Sequence, residues 1–239
     1  TEYSVKTHRR YNMNYTEMNN NTVELTGTVT KEPVFSHEIY GEGFYETELE
    51  VPRLSEQVDK LPVTISERLL SENEIKVGSV ISITGQFRSY NKPEGERSRL
   101  MLTVFVRDII PEGEVKNPNS IELCGYICKE PIYRVTPFKR EICDILLAVN
   151  RSYNKSDYIP CITWGRNARF IKNLAVGEKI IISGRIQSRN YQKTLFDGTT
   201  EERVAYEVSV SKIILAEKAQ NAESVTEASK EYEEVQEYL

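Results

Sequence analysis

Two segments of the chain bring aromatic and basic side chains onto single faces of predicted strands. Side chains alternate along a strand, so Tyr158 and Trp164 share one face of the first segment. Arg185, Arg189 and Tyr191 share one face of the second segment. Because rings stack on bases and cations pair with phosphates, the pattern favours binding of single-stranded nucleic acid. Alternation alone leaves a second interpretation open, in which Trp164 is a core residue and the tyrosines are ordinary sheet aromatics.

The segments that carry these residues belong to the second copy of an internal repeat. Val23–Val34 recurs as Ile121–Ile132, at an offset of 98 residues. Val77–Gly85 recurs as Val176–Gly184, at an offset of 99 residues. A single added residue over this length indicates that both copies share one fold. Copies of roughly 95 residues are too long for solenoid units and predict two domains.

Strand patterns dominate both copies, and each copy has one helical stretch. In the second copy, strands are predicted at 121–128, 141–149, 158–164, 179–189 and 204–214, with a helix at Asn167–Leu174. In the first copy, they are predicted near 23–30, 45–51, 61–65, 79–89 and 100–109, with a helix near Glu67–Leu70. Five strands with a helix between the third and fourth are typical of the OB fold. The predicted fold class is therefore all-β, with two tandem OB-fold five-stranded barrels and one short helix in each.

Charge is unevenly distributed between the parts of the chain. The net charge of −5 combines an excess of six negative charges in the first copy with an excess of five positive charges in the second. A basic domain within an acidic chain indicates a localised anionic partner, although a random spread of surface charge is the alternative. The predicted parts are an N-terminal polar segment (1–20), an acidic OB-fold domain (21–113), a linker (114–118), a basic OB-fold domain (119–216) and an acidic C-terminal tail (217–239).

Several functional classes are not expected from the composition. No apolar run approaches the roughly 18–20 residues of a membrane span, and residues 1–20 are too polar for a signal peptide, which favours the cytoplasm. His8 and His37 are the only histidines, and neither lies in a nucleophile motif, so no enzymatic activity is expected. No cofactor or metal site is expected either, since the chain has no CxxC pair.

The cysteines all lie on predicted strands of the second copy. They are Cys124, Cys128, Cys143 and Cys161, and their counterparts in the first copy include threonine and valine. They are therefore predicted to be buried or half-buried free thiols in a reducing compartment, with disulfides and a metal site as the alternatives.

Three motifs occur in order in the second copy: YIPCITWGRNA at 158–168, GRIQSRNY at 184–191 and YEV at 206–208. Over roughly residues 119–214 the chain resembles the bacterial single-stranded DNA-binding protein (SSB) family. The resemblance implies stacking aromatics at the positions of Tyr158, Trp164 and Tyr191, and basic contacts at Arg166 and Arg189. Tyr153, in the loop before Asp157, is a further aromatic candidate. The nucleic-acid-binding residues expected together are Tyr158, Trp164, Tyr191, Tyr153, Arg151, Arg166, Arg185, Arg189 and Lys193.

The first copy departs from this pattern. Lys60, Ser66 and Lys92 stand where the second copy has Tyr158, Trp164 and Tyr191. The first copy therefore resembles an OB domain that has lost stacking capacity and gained negative charge. Its candidates for secondary nucleic-acid contacts, with a structural or partner-binding role as the alternative, are Arg53, Arg88, Tyr90 and Lys92.

The predicted function is sequence-tolerant binding of single-stranded DNA in replication, recombination or repair, mainly through the second domain. Two alternatives stay open: a protein–protein adaptor of a replication or mobile-element complex, and a single-stranded RNA-binding module. Since the family usually assembles four OB folds, a homodimer is expected. The acidic tail has apolar residues at its end but lacks the Ile-Pro-Phe-type tip that is typical of the family. It either docks replication or repair proteins or is a solvated terminus.

Overall fold

The computed structural model describes residues 20–53, 55, 57–94, 97–110, 118–194 and 198–216. This part of the chain contains twelve strands and two short helices. Neither helix is long and apolar enough to cross a membrane. Nearly all of the predicted N-terminal segment, most of the linker and the acidic tail lie outside the described residues.

The first half of the chain closes into a five-stranded barrel. Its elements are β1 (Asn21–Val29), β2 (Val34–Ile39), β3 (Glu42–Pro52), β4 (Val58–Ser66), α1 (Glu67–Asn73), β5 (Val80–Glu94) and β6 (Arg97–Ile110). Strand β1 pairs with β3 and β5, β3 pairs with β4, and β5 pairs with β6, all antiparallel. A parallel pairing of β4 with β6 closes the barrel, and β2 forms a hairpin with β3. This strand order is that of the OB fold.

The second half repeats the arrangement. Its elements are β7 (Asn119–Ile127), β8 (Ile132–Val135), β9 (Glu141–Arg151), β10 (Lys155–Trp164), α2 (Gly165–Ile171), β11 (Lys179–Thr194) and β12 (Thr200–Leu215). Strand β7 pairs with β9 and β11, β9 with β10, β11 with β12, and β10 with β12 in parallel. Both barrels have a register shift at a matching glycine, Gly85 in β5 and Gly184 in β11. A Cβ at Gly184 would lie 2.2 Å from the Ser209 carbonyl oxygen, so only glycine fits this bulge.

The two barrels share one hydrogen-bonded ladder. Strands β1 and β7 pair antiparallel, with Asn21 opposite Leu123 and Leu25 opposite Asn119. Where β1 leaves β5, the Asn21 amide donates to the Phe87 carbonyl at 2.8 Å and accepts from the Phe87 N–H at 2.9 Å. Asn119 makes the equivalent pair of hydrogen bonds with Ile186 in the second half. These two asparagines satisfy backbone groups that would otherwise be buried without partners.

Two buried aspartates make a second connection between the halves. The Asp59 carboxylate accepts from the Ser188 N–H at 2.7 Å, and the Asp157 carboxylate accepts from the Ser89 N–H at 2.6 Å. Both aspartate side chains are fully buried, and each has an arginine partner in its own half. The long outer parts of β5 and β11 are thereby held against β10 and β4 of the opposite half.

The predicted fold class is confirmed, since the chain is mostly β-strand with one short helix in each half. Strands β2 and β8 were not predicted. All six residues of β2 are exposed, so this strand has no apolar–polar alternation that would reveal it. Helix α2 begins and ends earlier than predicted, at Gly165 and Ile171 instead of 167 and 174, because Gly165 turns the chain directly out of β10 with φ of 52°.

Candidate nucleic-acid interface

An open groove of about 720 Å³ runs along the boundary between the two halves. We call it the tryptophan groove. The second half contributes an aromatic and basic wall, and the β3–β4 hairpin of the first half forms the opposite wall. The lining side chains are Glu48, Arg53, Gln57, Val58, Lys60, Trp164, Arg185, Gln187, Ser188, Arg189, Asn190, Val204 and Tyr206.

Trp164 lies where β10 ends and α2 begins, and 39% of it is exposed. Its indole makes no capping hydrogen bond to the helix. The equivalent Ser66 in the first half caps α1 by accepting from the Leu69 N–H at 3.4 Å. This surface position therefore tolerates either a cap or a large ring, because nothing in the barrel interior depends on it. The predicted exposure of Trp164 is confirmed, and the core interpretation is wrong.

Arg185 and Arg189 project from β11 beside this ring and are exposed. The Arg189 Nε lies 3.8 Å from the Glu207 carboxylate, which is too long for a hydrogen bond. Glu207 instead accepts from Gln187 at 2.7 Å, and Gln187 accepts from Arg185 at 3.3 Å. Gln187 and Glu207 thus form a buried, hydrogen-bonded polar pair beneath the two guanidinium groups. Both cations remain available to an anion in the groove.

The first half places a further cation in the tryptophan groove. The Lys60 N–H donates to the Ser188 Oγ at 3.2 Å, which fixes the β4 backbone against β11 and leaves the Lys60 side chain exposed. Glu48 is the only carboxylate among the lining residues, and it accepts a hydrogen bond from Lys31 at 2.7 Å. The groove is therefore cationic although the first half as a whole is acidic.

The structure corrects the predicted role of Tyr158. Only 7% of this residue is exposed, because its ring packs against Ala148, Cys128 and Leu146. Its N–H donates to the Ser89 Oγ of the other half at 2.8 Å. Alternation correctly put Tyr158 on the outward face of β10, but that face is buried by side chains of its own half beside β5. The ring is therefore too buried to offer a face on which a base could stack.

Arg151 and Tyr153 are also displaced from the tryptophan groove. Arg151 lies 3.3 Å from the buried Asp157 carboxylate, at the boundary with β5. Tyr153 lies in the β9–β10 turn with φ of 65°, and 95% of it is exposed. Arg151 and Tyr153 therefore lie apart from Trp164, Arg185 and Arg189, which line the groove.

Three other predicted residues flank the groove without lining it. Arg166 is exposed on α2. Tyr191 is half-buried further along β11, and the Arg189 guanidinium lies 5.9 Å from its ring centre. Lys193 is half-buried near the end of β11, opposite Glu201. Tyr191 and Lys193 extend the stripe that Arg185 and Arg189 begin.

The secondary candidates of the first half have mixed surroundings. Arg53 lines the groove, but it donates to both Asp59 oxygens at 2.7 and 2.6 Å, and this pairing raises its pKa. Arg88 lies 3.8 Å above the Phe105 ring. Tyr90 is exposed and donates to Glu46 at 3.4 Å, and burial raises the pKa of its hydroxyl. Lys92 is exposed on β5.

Sequence reasoning did not assign Lys60 or Tyr206 to the site. Lys60 was seen only as the replacement of a lost aromatic, and its position became clear from the packing of β4 against β11. Tyr206 belongs to the YEV motif, and it is half-buried at the base of the groove. Burial is the main cause that raises the pKa of Tyr206.

The four cysteines are free, and three of them are buried, in agreement with the prediction. Burial raises the pKa of the Cys128 thiol to about 12 and that of Cys143 to about 11. Within the described ranges, no cluster of three or more His, Cys, Asp and Glu side chains is arranged to hold a metal ion.

Comparison with known proteins identifies the family. Residues 118–216 match the model of the single-strand binding protein family. The chain is 36% identical to single-stranded DNA-binding protein A of Bacillus subtilis over 81 aligned residues. This alignment covers 31% of this chain and 47% of the Bacillus protein. The chain is 30% identical over 115 residues to single-stranded DNA-binding protein 2 of Listeria innocua, covering 45% and 70% respectively. The chain thus spans about half the length of the first of these relatives and more than two thirds of the second.

The fold comparison extends over both halves. The wild-type single-stranded DNA binding protein from Thermus aquaticus superposes with a TM-score of 0.63 at 18% identity, over 84% of this chain and 95% of that one. At this identity the likeness concerns the fold, and it includes the first half that the family model does not match. The chain therefore belongs to the bacterial single-strand binding protein family, a family of binding proteins and not of enzymes.

Proposed function

We propose that this protein binds single-stranded DNA without sequence preference, and that the tryptophan groove is its principal binding site. The observation that carries the proposal is the half-exposed Trp164 ring beside Arg185 and Arg189 in one open groove. A ring stacks on any base, since every base has a π face, and each stacked base contributes ~1–3 kcal/mol. The guanidinium groups follow the phosphates, which every sequence has in common.

The groove is built by both halves of the chain, which changes the division of labour expected from the sequence. Lys60 comes from the acidic first half, and its backbone is hydrogen-bonded to Ser188 of the second. We therefore propose that the second half supplies the stacking ring and most of the charge, whereas the first half supplies the opposite wall. An isolated 119–216 fragment lacks Lys60 and also lacks the β1 strand that pairs with β7.

Replacement of Trp164 tests the binding site against a matched aromatic. Trp164→Ala should weaken binding of labelled oligo-dT by ~5- to 150-fold, the equivalent of one lost stack. Phe170→Ala is the control, because Phe170 is also exposed in the second half but lies on α2 away from the lining residues. Equal, small effects of both substitutions on fluorescence anisotropy titrations would contradict the proposed site. The same titration with oligo-rU separates a DNA-binding role from an RNA-binding role.

The biological setting that we propose is DNA replication, recombination or repair in the cytoplasm. Support comes from the relatives, which are named single-stranded DNA-binding proteins, and from four free thiols, which suit a reducing compartment. We also propose a homodimer, because two chains supply the four OB folds that the family usually assembles. Light scattering of the purified full chain tests the dimer, and a monomeric mass would contradict it.

A further inference from the structure

The first half carries an aromatic and basic surface in the place where sequence comparison found stacking capacity to be lost. Ser66 is the counterpart of Trp164 and has no ring. Its cross-strand partner is Phe44 on β3, and the Phe44 ring lies 5.3 Å from the Phe105 ring on β6. His37 stacks on the other side of Phe44, at 5.1 Å and an interplanar angle of 15°. Rings from β2, β3 and β6 thus form a row beside the position on β4 where Ser66 has no ring.

A guanidinium group continues this row of rings. The Arg88 Cζ lies 3.8 Å from the centre of the Phe105 ring, within cation–π distance, and its Nη2 donates to Gln86 at 2.9 Å. A guanidinium group at cation–π distance from one ring can also stack on a nucleic-acid base. Neither group has a counterpart in the second half, where Gln187 and Ser209 occupy the positions of Arg88 and Phe105.

Further positive charge collects at the same place although the half is acidic. Arg107 lies at the bulge of β6, two residues after Phe105; it is exposed and close enough to Arg88 to repel its charge. Arg151 reaches the site from the second half with its Nε 3.3 Å from Asp157. Burial, followed by the repulsion of Arg151, lowers the pKa of Arg88 to about 10, and Arg107 acts in the same direction. Three guanidinium groups are therefore close together, with the buried Asp157 as the carboxylate that opposes them.

We propose that Phe44, Phe105, Arg88, Arg107 and Arg151 form a second binding surface for single-stranded nucleic acid, here called the phenylalanine surface. It is the counterpart of the tryptophan groove across the boundary between the halves, but its rings come from β3 and β6 instead of the end of β10. The proposal rests on the proposed DNA-binding function and adds a second contact surface for the same DNA molecule. It also gives Arg88 and Arg151 a role that the tryptophan groove does not provide.

The experiment compares short and long oligonucleotides, because a second binding surface affects only an oligonucleotide that is long enough to reach it. An OB fold binds ~4–16 nucleotides. Oligo-dT of ~12 nucleotides therefore fills one binding surface, and oligo-dT of ~35 nucleotides can occupy both. Phe105→Ser and Arg88→Gln each install the residue that the second half has at the matching position. Circular dichroism checks that each variant is folded.

The expected result is a selective loss. Each substitution should weaken binding of the long oligonucleotide by ~5- to 150-fold for a lost stack, and Arg88→Gln should also reduce the salt slope by ~1. Binding of the short oligonucleotide, followed by Trp164 emission, should stay unchanged. Phe35→Ser is the control, since Phe35 is an exposed ring on β2 outside the phenylalanine surface.

Other outcomes are distinguishable. If both variants bind the long oligonucleotide as tightly as the unmodified protein, the phenylalanine surface is refuted while the proposed function stands. If the unmodified protein binds neither oligonucleotide, the proposed function itself fails. Should Phe105→Ser not fold, Arg88→Gln alone decides, because it removes a half-buried cation and leaves the ring in place.

Discussion

Removal of the Asp59 carboxylate is the sharpest test of how the two halves are held together. Asp59 is fully buried and accepts from the Arg53 Nε and Nη2 and from the Ser188 N–H at 2.6–2.7 Å. In Asp59→Ala, a cation and a backbone N–H in different halves both lose their partner. Breaking a buried ion pair in this way costs ~3–5 kcal/mol of unfolding free energy. Because the Arg53 side chain is 20% exposed and also donates to Gln57, we expect a loss of about 3 kcal/mol.

Equilibrium urea unfolding, followed by circular dichroism, measures this loss. Asp144→Ala is the matched control, because Asp144 pairs with Arg134 at 2.6 Å but both side chains are substantially exposed. An exposed pair contributes at most about 1 kcal/mol, so the control should unfold almost as the unmodified protein does. Asp59→Asn retains one oxygen acceptor and should fall between the two. Equal midpoints for Asp59→Ala and Asp144→Ala would refute the reasoning that Asp59 connects the halves.

Three further predictions concern charge in and around the site. Lys60→Gln should weaken oligo-dT binding and reduce the salt slope by ~1, whereas Lys76→Gln, in an exposed loop, should do neither; identical slopes for both would remove the first half from the groove. Burial raises the pKa of Asp157 in the folded protein above its value of about 3.9 in the unfolded chain. The protonated carboxyl group therefore stabilises the fold fully below about pH 3.9, and this stabilisation is lost as the pH rises through the pKa of the folded state. The unfolding free energy of Asp157→Asn relative to the unmodified protein should therefore be higher at pH 7 than at pH 4 in urea titrations, and a difference that does not change with pH would contradict this. Burial raises the pKa of all four cysteines, so thiol reagents at pH 8 should react slowly with the native protein and label four thiols only after unfolding. Rapid labelling of several thiols in the native chain would contradict the burial of Cys124, Cys143 and Cys161.

The repeat made much of the fold accessible from the sequence. The offset between matching motifs of the two copies changes only from 98 to 99 residues, so both copies had to share a strand order, and Gly85 and Gly184 mark the same bulge in both. The exposure of Trp164 also followed from comparison of the copies, because a serine at the matching position rarely replaces a core indole. Local pattern and internal homology together were sufficient for these features.

What the sequence did not reveal depends on packing between the halves. Tyr158 lies on an outward strand face, but its ring packs against Ala148, Cys128 and Leu146, and its N–H is bonded to Ser89 of the other half. Alternation within one strand does not reveal such tertiary packing. The same packing brings Lys60 to the groove. Comparison of the copies does not reveal Phe105 for a different reason: the second copy has Ser209, which has no ring, at the matching position.

The central claim is that Trp164 stacks on bases in a cationic groove, and the emission of this single tryptophan reports on it directly. Titration of the unmodified chain with oligo-dT at low salt should quench that emission to saturation. The apparent affinity should fall steeply at higher salt, because the bound lysine and arginine side chains displace counterions from the phosphates. An emission spectrum and an electrophoretic mobility that both stay unchanged with excess oligo-dT at low salt would contradict the account.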